Sequence, residues 1–304
     1  MNRIKGILYA AVSSSTFGLA PFFSITLLLA GFSAFEVLSY RWGVASVVLI
    51  IFGMLSGCNF RLARKDFGVV FLLSLLRAIT SFSLIIAYQN IASGVASTIH
   101  FMYPLAVALA MMFFFREKKS LLVMLAVLMS LLGATLLSLG ELEAKDGNTI
   151  AGLVAACISV FSYAGYIIGV RTTRAVQINS TALTCCIMGF GTVFYLIGAF
   201  CTSGLQLVSD GYTWLIILGL ALPATAISNI TLVQAIKYAG PTLTSILGAM
   251  EPLTAVVIGI LVFKELFTAN SAIGILLILI AVSVVVFRLT DKIMWASQQL
   301  VSLP

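Results

Sequence analysis

Four ionisable side chains lie inside long apolar stretches of this chain: Arg41, Arg77, His100 and Glu251. At the centre of a lipid bilayer an ionised side chain costs about 2.5–3.5 kcal/mol on insertion scales, so each needs a partner or a wet cavity. A guanidinium group donates paired hydrogen bonds to a carboxylate, and a carboxylate accepts from an ammonium group. An arginine and a glutamate in one cavity would therefore suit a zwitterionic ligand.

The two arginines differ in their distance from the ends of their apolar runs. Arg77 lies near the middle of its run and shares a helical face with Ser81. We expect this face to contact an anionic group, and the alternative is a structural ion pair between helices. Arg41 lies closer to an end, where its long side chain can reach the membrane interface, and we expect it to do so rather than bind a ligand.

Glu251 stands directly before Pro252 in the stretch GAMEPLTAVVIGILVFKE (248–265). Proline removes a backbone donor and permits a helix kink, which a cavity tolerates and lipid does not. We expect Pro252 to shape the helix and Glu251 to contact substrate or carry a proton. The alternative for Glu251 is a salt bridge with Arg77.

His100 is the only histidine of the chain, and its helical face also carries Ser97 and Pro104. A histidine titrates near neutral pH, so one interpretation is a pH-sensitive gate beside the binding site. The other is a neutral, hydrogen-bonded contact between helices. Pro104 is a second predicted kink.

Neutral polar side chains complete the predicted substrate-binding set. Asn229 is the strongest of them, because an amide at mid-span needs a partner more than a hydroxyl does. Tyr163 and Tyr166 join it, although buried tyrosines often only pack. Ser81 and Ser97 are included on the same basis, with hydrogen bonds to their own helix as the alternative.

The sequence contains no motif for metal binding, catalysis or nucleotide binding. His100 has no second histidine or cysteine pair beside it, so we expect no metal site. The polar residues of the apolar runs fall short of an acid, base and nucleophile set, which makes a membrane-embedded enzyme a remote alternative. No nucleotide-binding motif is present, and we expect no cofactor.

The composition indicates that lipid surrounds most of the chain. Hydrophobic residues make up 61% of its 304 residues and charged residues 9%, and the mean hydropathy is +1.16. This is more apolar side chain than a soluble domain of this length can bury. The net charge of +7 comes from basic residues at the ends of apolar runs, a topogenic pattern that argues against nucleic-acid binding.

Ten apolar runs are long enough to cross a bilayer, which takes about 20 residues per helix. We expect the first run, which follows Arg3 and Lys5, to be a spanning helix rather than a removed signal peptide. The predicted spans are 5–29, 34–56, 67–89, 93–115, 120–139, 150–170, 180–203, 211–235, 241–263 and 270–288.

Basic residues predict the orientation of these spans. With the N-terminus inside, only Lys145 and Lys264 fall outside, and Arg41 and Arg77 lie within spans. The other basic residues are then all inside, so the positive-inside rule predicts that both termini are inside. They are Arg3, Lys5, Arg61, Arg64, Lys65, Arg116, Lys118, Lys119, Arg171, Arg174, Lys237, Arg288 and Lys292.

The two halves of the chain repeat one another. At an offset of 148 residues, MYP (102–104) aligns with MEP (250–252), and Glu117 aligns with Glu265. Because five spans is an odd number, the second copy would enter the membrane from the opposite side, as in secondary transporters. We therefore predict an all-α integral membrane fold of ten helices in two inverted five-helix repeats. The predicted boundaries are 1–140 and 150–291 for the repeats, 141–149 for an outer connecting loop and 292–304 for an inner tail.

This pattern resembles the drug/metabolite transporter superfamily, in particular its EamA-type members. The resemblance rests on two inverted halves, each with a proline-containing fourth helix and a glutamate at its exit: YPLAVALAMMFFFRE and EPLTAVVIGILVFKE. It implies a ten-helix basket with a central cavity lined by spans 1, 3, 4, 6, 8 and 9. It also implies export of amino acids or other small metabolites. The sequence departs from perfect symmetry where Tyr103 aligns with Glu251.

We therefore expect a secondary transporter that moves amino acids or related zwitterions and carboxylates by alternating access. Its partners would be the small-molecule substrate and the lipid bilayer, with proton coupling left open and no nucleic acid. The expected location is a bacterial plasma (inner) membrane, which the chain crosses many times. The alternative is a translocase for a lipid-linked carrier on the same scaffold.

Overall fold

A computed structural model describes residues 2–91, 93–117, 121–138, 147–202, 204–254, 257, 269–270 and 272–284. These residues form helices and short connections, and no β-strand occurs among them. Glu265, Lys264, residues 141–146 of the predicted connecting loop and the predicted tail 292–304 lie outside the described residues.

Thirteen α-helices follow one another along the described chain, with one 3-10 helix at Arg174–Gln177 and one π-helix at Leu222–Ile227. In chain order they are α1 Asn2–Phe17, α2 Ala20–Leu29, α3 Ala34–Leu55, α4 Arg64–Asn90, α5 Ser93–His100, α6 Tyr103–Phe113, α7 Leu121–Ser138, α8 Thr149–Thr172, α9 Ser180–Cys201, α10 Gly211–Ala221, α11 Ser228–Ala239, α12 Pro241–Leu247 and α13 Ala272–Val284.

Seven helical stretches are long and apolar enough to cross a membrane. They are Arg3–Leu29, Ala34–Leu55, Arg64–Asn90, Val95–Phe113, Thr149–Thr172, Ser180–Cys201 and Gly211–Ala239. The predicted fifth and tenth runs contain shorter apolar helices, Leu121–Leu136 and Ala272–Val284. The predicted ninth run is helical over α12 and again from 250 to 254, where the continuous description ends. The protein is therefore an all-helical, multi-pass membrane protein.

Three of these stretches depart from a regular α-helix, two at a turn and one at the π-helix, and a proline lies at or just after each irregularity. A turn at Gly18–Leu19 separates α1 from α2, and a turn at Phe101–Met102 separates α5 from α6. Pro21, Pro104 and Pro223 each stand at the second residue of the next helical segment. At these positions proline loses little, because the first backbone N–H groups of a helix have no intrahelical partner.

The interruption before Pro252 is the counterpart of the one before Pro104. Helix α12 ends at Leu247, a turn covers residues 248–249, and the helix resumes at 250. At both positions where a kink was predicted, Pro104 and Pro252, the helix is interrupted by a two-residue turn shortly before the proline. Breaks leave backbone polar groups without helical partners, so such segments occur in membranes only where protein or a cavity surrounds them.

Two pairs of spans form the centre of the molecule. Helices α4 and α8, both uninterrupted, pack along each other, and Thr80 Oγ1 lies 2.9 Å from Ser162 Oγ across their contact. Helix α1 packs along α11 in the same way, and the Ser13 hydroxyl donates to the Ser228 carbonyl at 2.8 Å. The site lies between these two pairs.

Candidate binding site

Aromatic rings surround the guanidinium group of Arg77 in the middle of the protein. Its central carbon lies 5.0 Å from the ring centre of Tyr163, 5.9 Å from that of Tyr166 and 5.2 Å from that of Phe17. A cation within about 6 Å of an aromatic face is attracted by the ring quadrupole. Only 1% of Arg77 is exposed. This cage holds a positive charge at the depth where it is most costly.

Two hydrogen bonds fix the direction of the Arg77 side chain. Its Nε donates to Asn229 Oδ1 at 3.1 Å, and its Nη1 donates to Ser81 Oγ at 3.3 Å. Asn229 is itself held by its amide, which donates to the Thr225 carbonyl at 2.7 Å. The structure therefore brings together five residues of the predicted substrate-binding set: Arg77, Ser81, Asn229, Tyr163 and Tyr166.

The alternative of a salt bridge between Arg77 and Glu251 does not describe this structure. Among the residues that the structure covers, no carboxylate oxygen lies within 4.0 Å of an Arg77 nitrogen. Neutral groups satisfy two of the five guanidinium donors. The charge of Arg77 is therefore oriented but is not neutralised by a direct ion pair.

The prediction that Arg41 reaches the membrane interface is wrong. Arg41 is 5% exposed, its Nε donates to Thr225 Oγ1 at 2.7 Å, and its Nη2 donates to the Ala224 carbonyl at 3.4 Å. Both acceptors belong to the π-helix after Pro223, which offers them at mid-depth. The Arg41 guanidinium carbon also lies 5.5 Å from the Phe17 ring centre. Arg41 therefore turns inward and shares Phe17 with Arg77.

Glu251 lies at the break in the ninth span, directly beside the break in the first. A Cβ atom at Gly18 would lie 2.6 Å from the Glu251 carbonyl oxygen, so only glycine permits this approach. Gly18 follows Phe17, whose ring contacts both arginines. The Gly18–Leu19 turn therefore brings the segment that carries Glu251 close to Phe17, which contacts both arginines. Glu251 is only partly buried, whereas both arginines are buried.

His100 lies one ring further from Arg77. Its ring stacks on Tyr163 with centres 5.4 Å apart, and its Nδ1 lies 2.8 Å from Ser159 Oγ. Its buried Nε2 has no hydrogen-bond partner among the described residues. The Ser97 hydroxyl lies 3.3 Å from the Tyr88 hydroxyl. His100 and Ser97 thus flank the Arg77 cage without touching the guanidinium group.

Tyr103, where the two repeats differ, lies at this site although it was not among the predicted substrate-binding residues. Its ring meets Tyr163 edge-to-face with centres 4.6 Å apart, and it is 2% exposed. The Tyr103 hydroxyl occupies the space that a side chain at position 248 would need, so Gly248 leaves room for it. Its alignment with Glu251 in the repeat was the available signal.

A small cavity separates the two arginines from the ends of α2 and α4. Its volume of about 10 Å³ is enough for roughly one water molecule. No metabolite fits this cavity without movement of the surrounding helices. It is lined by Phe17, Ala20, Pro21, Ser24, Arg41, Arg77, Thr80, Ser81, Leu84, Ile85 and Tyr88.

Polar contacts tie the helices together at the N-terminal face of the bundle, where α1 begins. Thr242 Oγ1 donates to Glu117 Oε2 at 2.6 Å, which joins the start of α12 to the segment after α6. Arg171 Nη1 donates to the Lys237 carbonyl at 2.8 Å, and Lys237 Nζ donates to the Ile178 carbonyl. Glu117 therefore has a hydrogen-bond partner from the other half of the chain.

A separate set of contacts joins the helices at the opposite face. The backbone N–H of Gln206 donates to Glu36 Oε1 at 2.7 Å, and the Tyr40 hydroxyl donates to the Gln206 carbonyl. An open depression lies beside them, between the 31–33 turn and the 204–206 segment. The two faces are therefore closed by different sets of residues.

Sequence reasoning missed Phe17, which contacts both arginines. Thr225, which accepts from Arg41, was one of several polar residues that it left outside the predicted binding set. Phe17 looked like one more apolar residue, and only Gly18 followed by Pro21 signalled a break there. Thr225 follows Pro223 closely, and that proline was a similar signal for irregular backbone in the eighth span.

Comparison with known proteins gives a family and a fold. Residues 4–139 and 150–287 each match the model of the EamA-like transporter family. A solved structure described as "Crystal structure of protein" matches with a TM-score of 0.76 and 17% sequence identity. That match covers 93% of this chain and 96% of the other. At this identity the likeness establishes the fold alone. No curated protein matches the sequence.

Proposed function

We propose, from the premise that this chain belongs to the EamA-like transporter family, that it is an exporter of amino acids or related zwitterions and carboxylates. Membership makes it a membrane transporter of the drug/metabolite type, with a small-molecule substrate and the bilayer as partners. The substrate class, the direction and the residues below are our proposal. The proposed location is the plasma (inner) membrane of a bacterium, with both termini inside.

One observation carries this proposal: the segment that carries Glu251 packs against the Gly18 turn, next to Phe17 and the caged guanidinium group of Arg77 with its free donors. Arg77 would bind the substrate carboxylate through the N–H groups that Asn229 and Ser81 leave free. Glu251 would accept from the substrate ammonium group. Tyr163 and Tyr166 would cover the bound substrate and exclude lipid.

Alternating access would expose this cavity to one face at a time. The central space is almost filled, and separate contacts hold each face. We assign this arrangement to an occluded state. The turns in the first, fourth and ninth spans and the π-helix in the eighth would serve as hinges, because a helix bends most easily where its backbone is irregular. Two inverted five-helix repeats of 1–140 and 150–291 would rock about this centre.

Proton coupling would use Glu251, with His100 as a neighbouring gate. A carboxylate that carries either a proton or a substrate ammonium group couples the two ligands by competition. His100 lies beside Tyr163, which covers Arg77, so a change in its charge would act on the cage.

The test is uptake of labelled amino acids and carboxylates into liposomes that contain the folded protein. Each compound is measured with and without an imposed pH gradient, and protein-free liposomes are the control. We expect saturable uptake of one class of amino acid or carboxylate, driven by the gradient.

Other results have distinct meanings. Saturable uptake that ignores the gradient would keep the substrate class and replace proton coupling by exchange or facilitated diffusion. No uptake by folded protein would contradict the proposal, and the same liposomes would then be tested for translocation of a lipid-linked carrier. Chemical conversion of a compound would instead indicate an enzyme.

A further inference from the structure

Arg41 has no task in the proposed function, although it borders the same cavity as Arg77. Both guanidinium carbons lie close to the Phe17 ring centre, at 5.5 Å and 5.2 Å. They can therefore be no further apart than the sum of these two distances. A dicarboxylate of four or five carbon atoms is long enough to reach both groups.

Each arginine retains donors for a ligand. Arg41 uses two donors, one to Thr225 Oγ1 and one to the Ala224 carbonyl, and Arg77 uses two others, to Asn229 and Ser81. A guanidinium group has five N–H donors. Within the described part of the chain, no further acceptor lies within hydrogen-bond distance of either group. Three donors on each arginine are therefore available.

The charges of the cavity do not balance. The described lining of the cavity contains two guanidinium groups, those of Arg41 and Arg77, and no carboxylate, so the Glu251 of the proposed function could balance only one of them. Buried like charges repel each other, and a buried charge without a counter-charge is costly. A ligand with one carboxylate and one ammonium group has no net charge, so it leaves this excess as it was. A ligand with a second carboxylate removes it.

We infer that the transporter is selective for amino acids with an acidic side chain, of the size of aspartate or glutamate. Arg77 and Arg41 each bind one carboxylate, and Glu251 binds the ammonium group. This inference rests on the proposed function and adds to it the substrate class and the role of Arg41. Phe17 is the spacer that holds the two guanidinium groups at the required separation.

Glutamate and glutamine provide a matched pair of probes, because they have the same size and differ by one charge. We would measure equilibrium binding of labelled L-glutamate and L-glutamine to purified protein, followed by uptake in liposomes. Glutamate gains a charge-assisted hydrogen bond between its side-chain carboxylate and Arg41 that glutamine lacks. We therefore expect glutamate to bind at least about tenfold more tightly than glutamine.

The variant Arg41→Gln should remove this preference. Its affinity for glutamate should fall to that for glutamine, and its affinity for glutamine should stay within about twofold of the unchanged protein. Arg77→Gln should lower the affinity for both glutamate and glutamine. Ser46→Ala on the same helix is the control, since the Ser46 hydroxyl has no hydrogen-bond partner among the described residues. Arg41→Lys keeps the positive charge but loses the paired N–H donors of the guanidinium group, so its preference for glutamate over glutamine should be intermediate. This variant replaces Arg41→Gln if the latter does not fold.

Three results would overturn the inference. Equal affinity for the two amino acids in the unchanged protein would mean that the second carboxylate is not recognised. An equal loss of affinity for glutamate and glutamine in Arg41→Gln would mean that Arg41 only supports the fold. In both cases binding of glutamine would leave the proposed function standing. Binding and uptake of neither amino acid would contradict the inference, and the wider panel would then decide the proposed function separately.

Discussion

At the scale of single residues, the most unusual feature is a buried arginine that has aromatic and neutral partners in place of a carboxylate. Asn229 and Ser81 orient Arg77, and Phe17, Tyr163 and Tyr166 surround it. A fully satisfied ion pair would be inert toward ligands, whereas an oriented and unpaired guanidinium group gains a counter-charge when a carboxylate binds. This is why neutral partners favour a binding role.

The variant Asn229→Asp should prevent binding. A carboxylate at this position would pair with Arg77, whose Nε already lies 3.1 Å from Asn229 Oδ1, and would compete with the substrate carboxylate. Aspartate also lacks the amide that donates to the Thr225 carbonyl, which offsets the stability gained from the new ion pair. We expect at least about a tenfold loss of substrate affinity. Thermal unfolding and binding would be measured on the same sample.

Asn229→Ala separates the two effects, because it removes the partner without adding a charge. It should lower both the melting temperature and the affinity. An Asn229→Asp protein that binds substrate normally would show that Arg77 does not contact the carboxylate.

Residue depth was predictable from the sequence, and side-chain direction was not. The position of Arg77 in the middle of its run indicated that it had to be buried in protein. Arg41 was misjudged because its direction depends on Thr225 and Ala224, which a π-helix presents from another span. Nothing in the neighbourhood of Arg41 along the chain encodes that contact.

At the scale of helices, the breaks in spans 1 and 9 depend on close contact of their backbones. The Gly18→Ala variant should disturb this contact, since its Cβ would lie 2.6 Å from the Glu251 carbonyl oxygen. Backbone cannot move aside as a flexible side chain can, so we expect a loss of about 1–3 kcal/mol in unfolding free energy. Transport should fall with it. The measurement is thermal or denaturant unfolding alongside uptake.

Gly189→Ala is the matched control, because no atom lies within 4 Å of a Cβ at that position in α9. This substitution should be neutral or slightly stabilising. Equal behaviour of the two variants would contradict the close approach of the first and ninth spans.

Asp210 makes the start of α10 sensitive to acid. Its Oδ2 accepts from the Thr213 backbone N–H at 2.7 Å, and this hydrogen bond holds the pKa of Asp210 below its ordinary value. A lowered pKa in the folded state means that the stabilisation is complete above the ordinary pKa of about 3.9 and is lost as the pH falls through the lower value. The variant Asp210→Asn keeps a capping side chain that does not titrate.

The measurement is the melting temperature of both proteins between pH 3 and pH 7. The difference between the two melting temperatures should be constant near pH 7. It should change below about pH 4, where the unchanged protein loses stability faster than Asp210→Asn. Parallel curves would show that the cap does not contribute.

The helices themselves followed from apolar periodicity and length, and two of the four breaks did not. The breaks before Pro104 and Pro252 were predicted as kinks because the repeat drew attention to both prolines. Those near Pro21 and Pro223 have no such counterparts, and a proline near the start of a helical segment is common and uninformative alone. The packing of α1 against α11 makes these breaks part of the site.

At the scale of the whole molecule, the two central pairs of spans correspond to each other under the proposed repeat. The third and sixth spans pack through α4 and α8, and their counterparts, the eighth and first, pack through α11 and α1. The first of these pairs is uninterrupted and the second is broken. We therefore expect the first and eighth spans to bend during transport while the third and sixth move as one body.

The Thr242→Val variant should open the N-terminal face more often. Valine has nearly the same shape as threonine but cannot donate the hydrogen bond to Glu117. A hydrogen bond to a charged group is worth about 1.5–3 kcal/mol at most, so we expect a several-fold shift in the population of the open state. The measurement is the distance between spin labels at exposed positions 115 and 238 in a background without native cysteines.

Thr231→Val is the control for this experiment, because the Thr231 hydroxyl bonds to the Ile227 carbonyl of its own span. An unchanged distance distribution in Thr242→Val would mean that this contact does not hold the face closed.

The central claim is that Arg77 and Glu251 bind the two charges of a zwitterionic substrate, and one measurement tests it most directly. Uptake of the best amino acid of the panel would be compared in liposomes that contain equal amounts of the unchanged protein, Arg77→Ala, Glu251→Gln and the Ser46→Ala control. We predict that both site variants lose at least about tenfold in uptake efficiency while the control keeps it. If Arg77→Ala and Glu251→Gln both transport every tested amino acid at the unchanged rate, the claim is wrong.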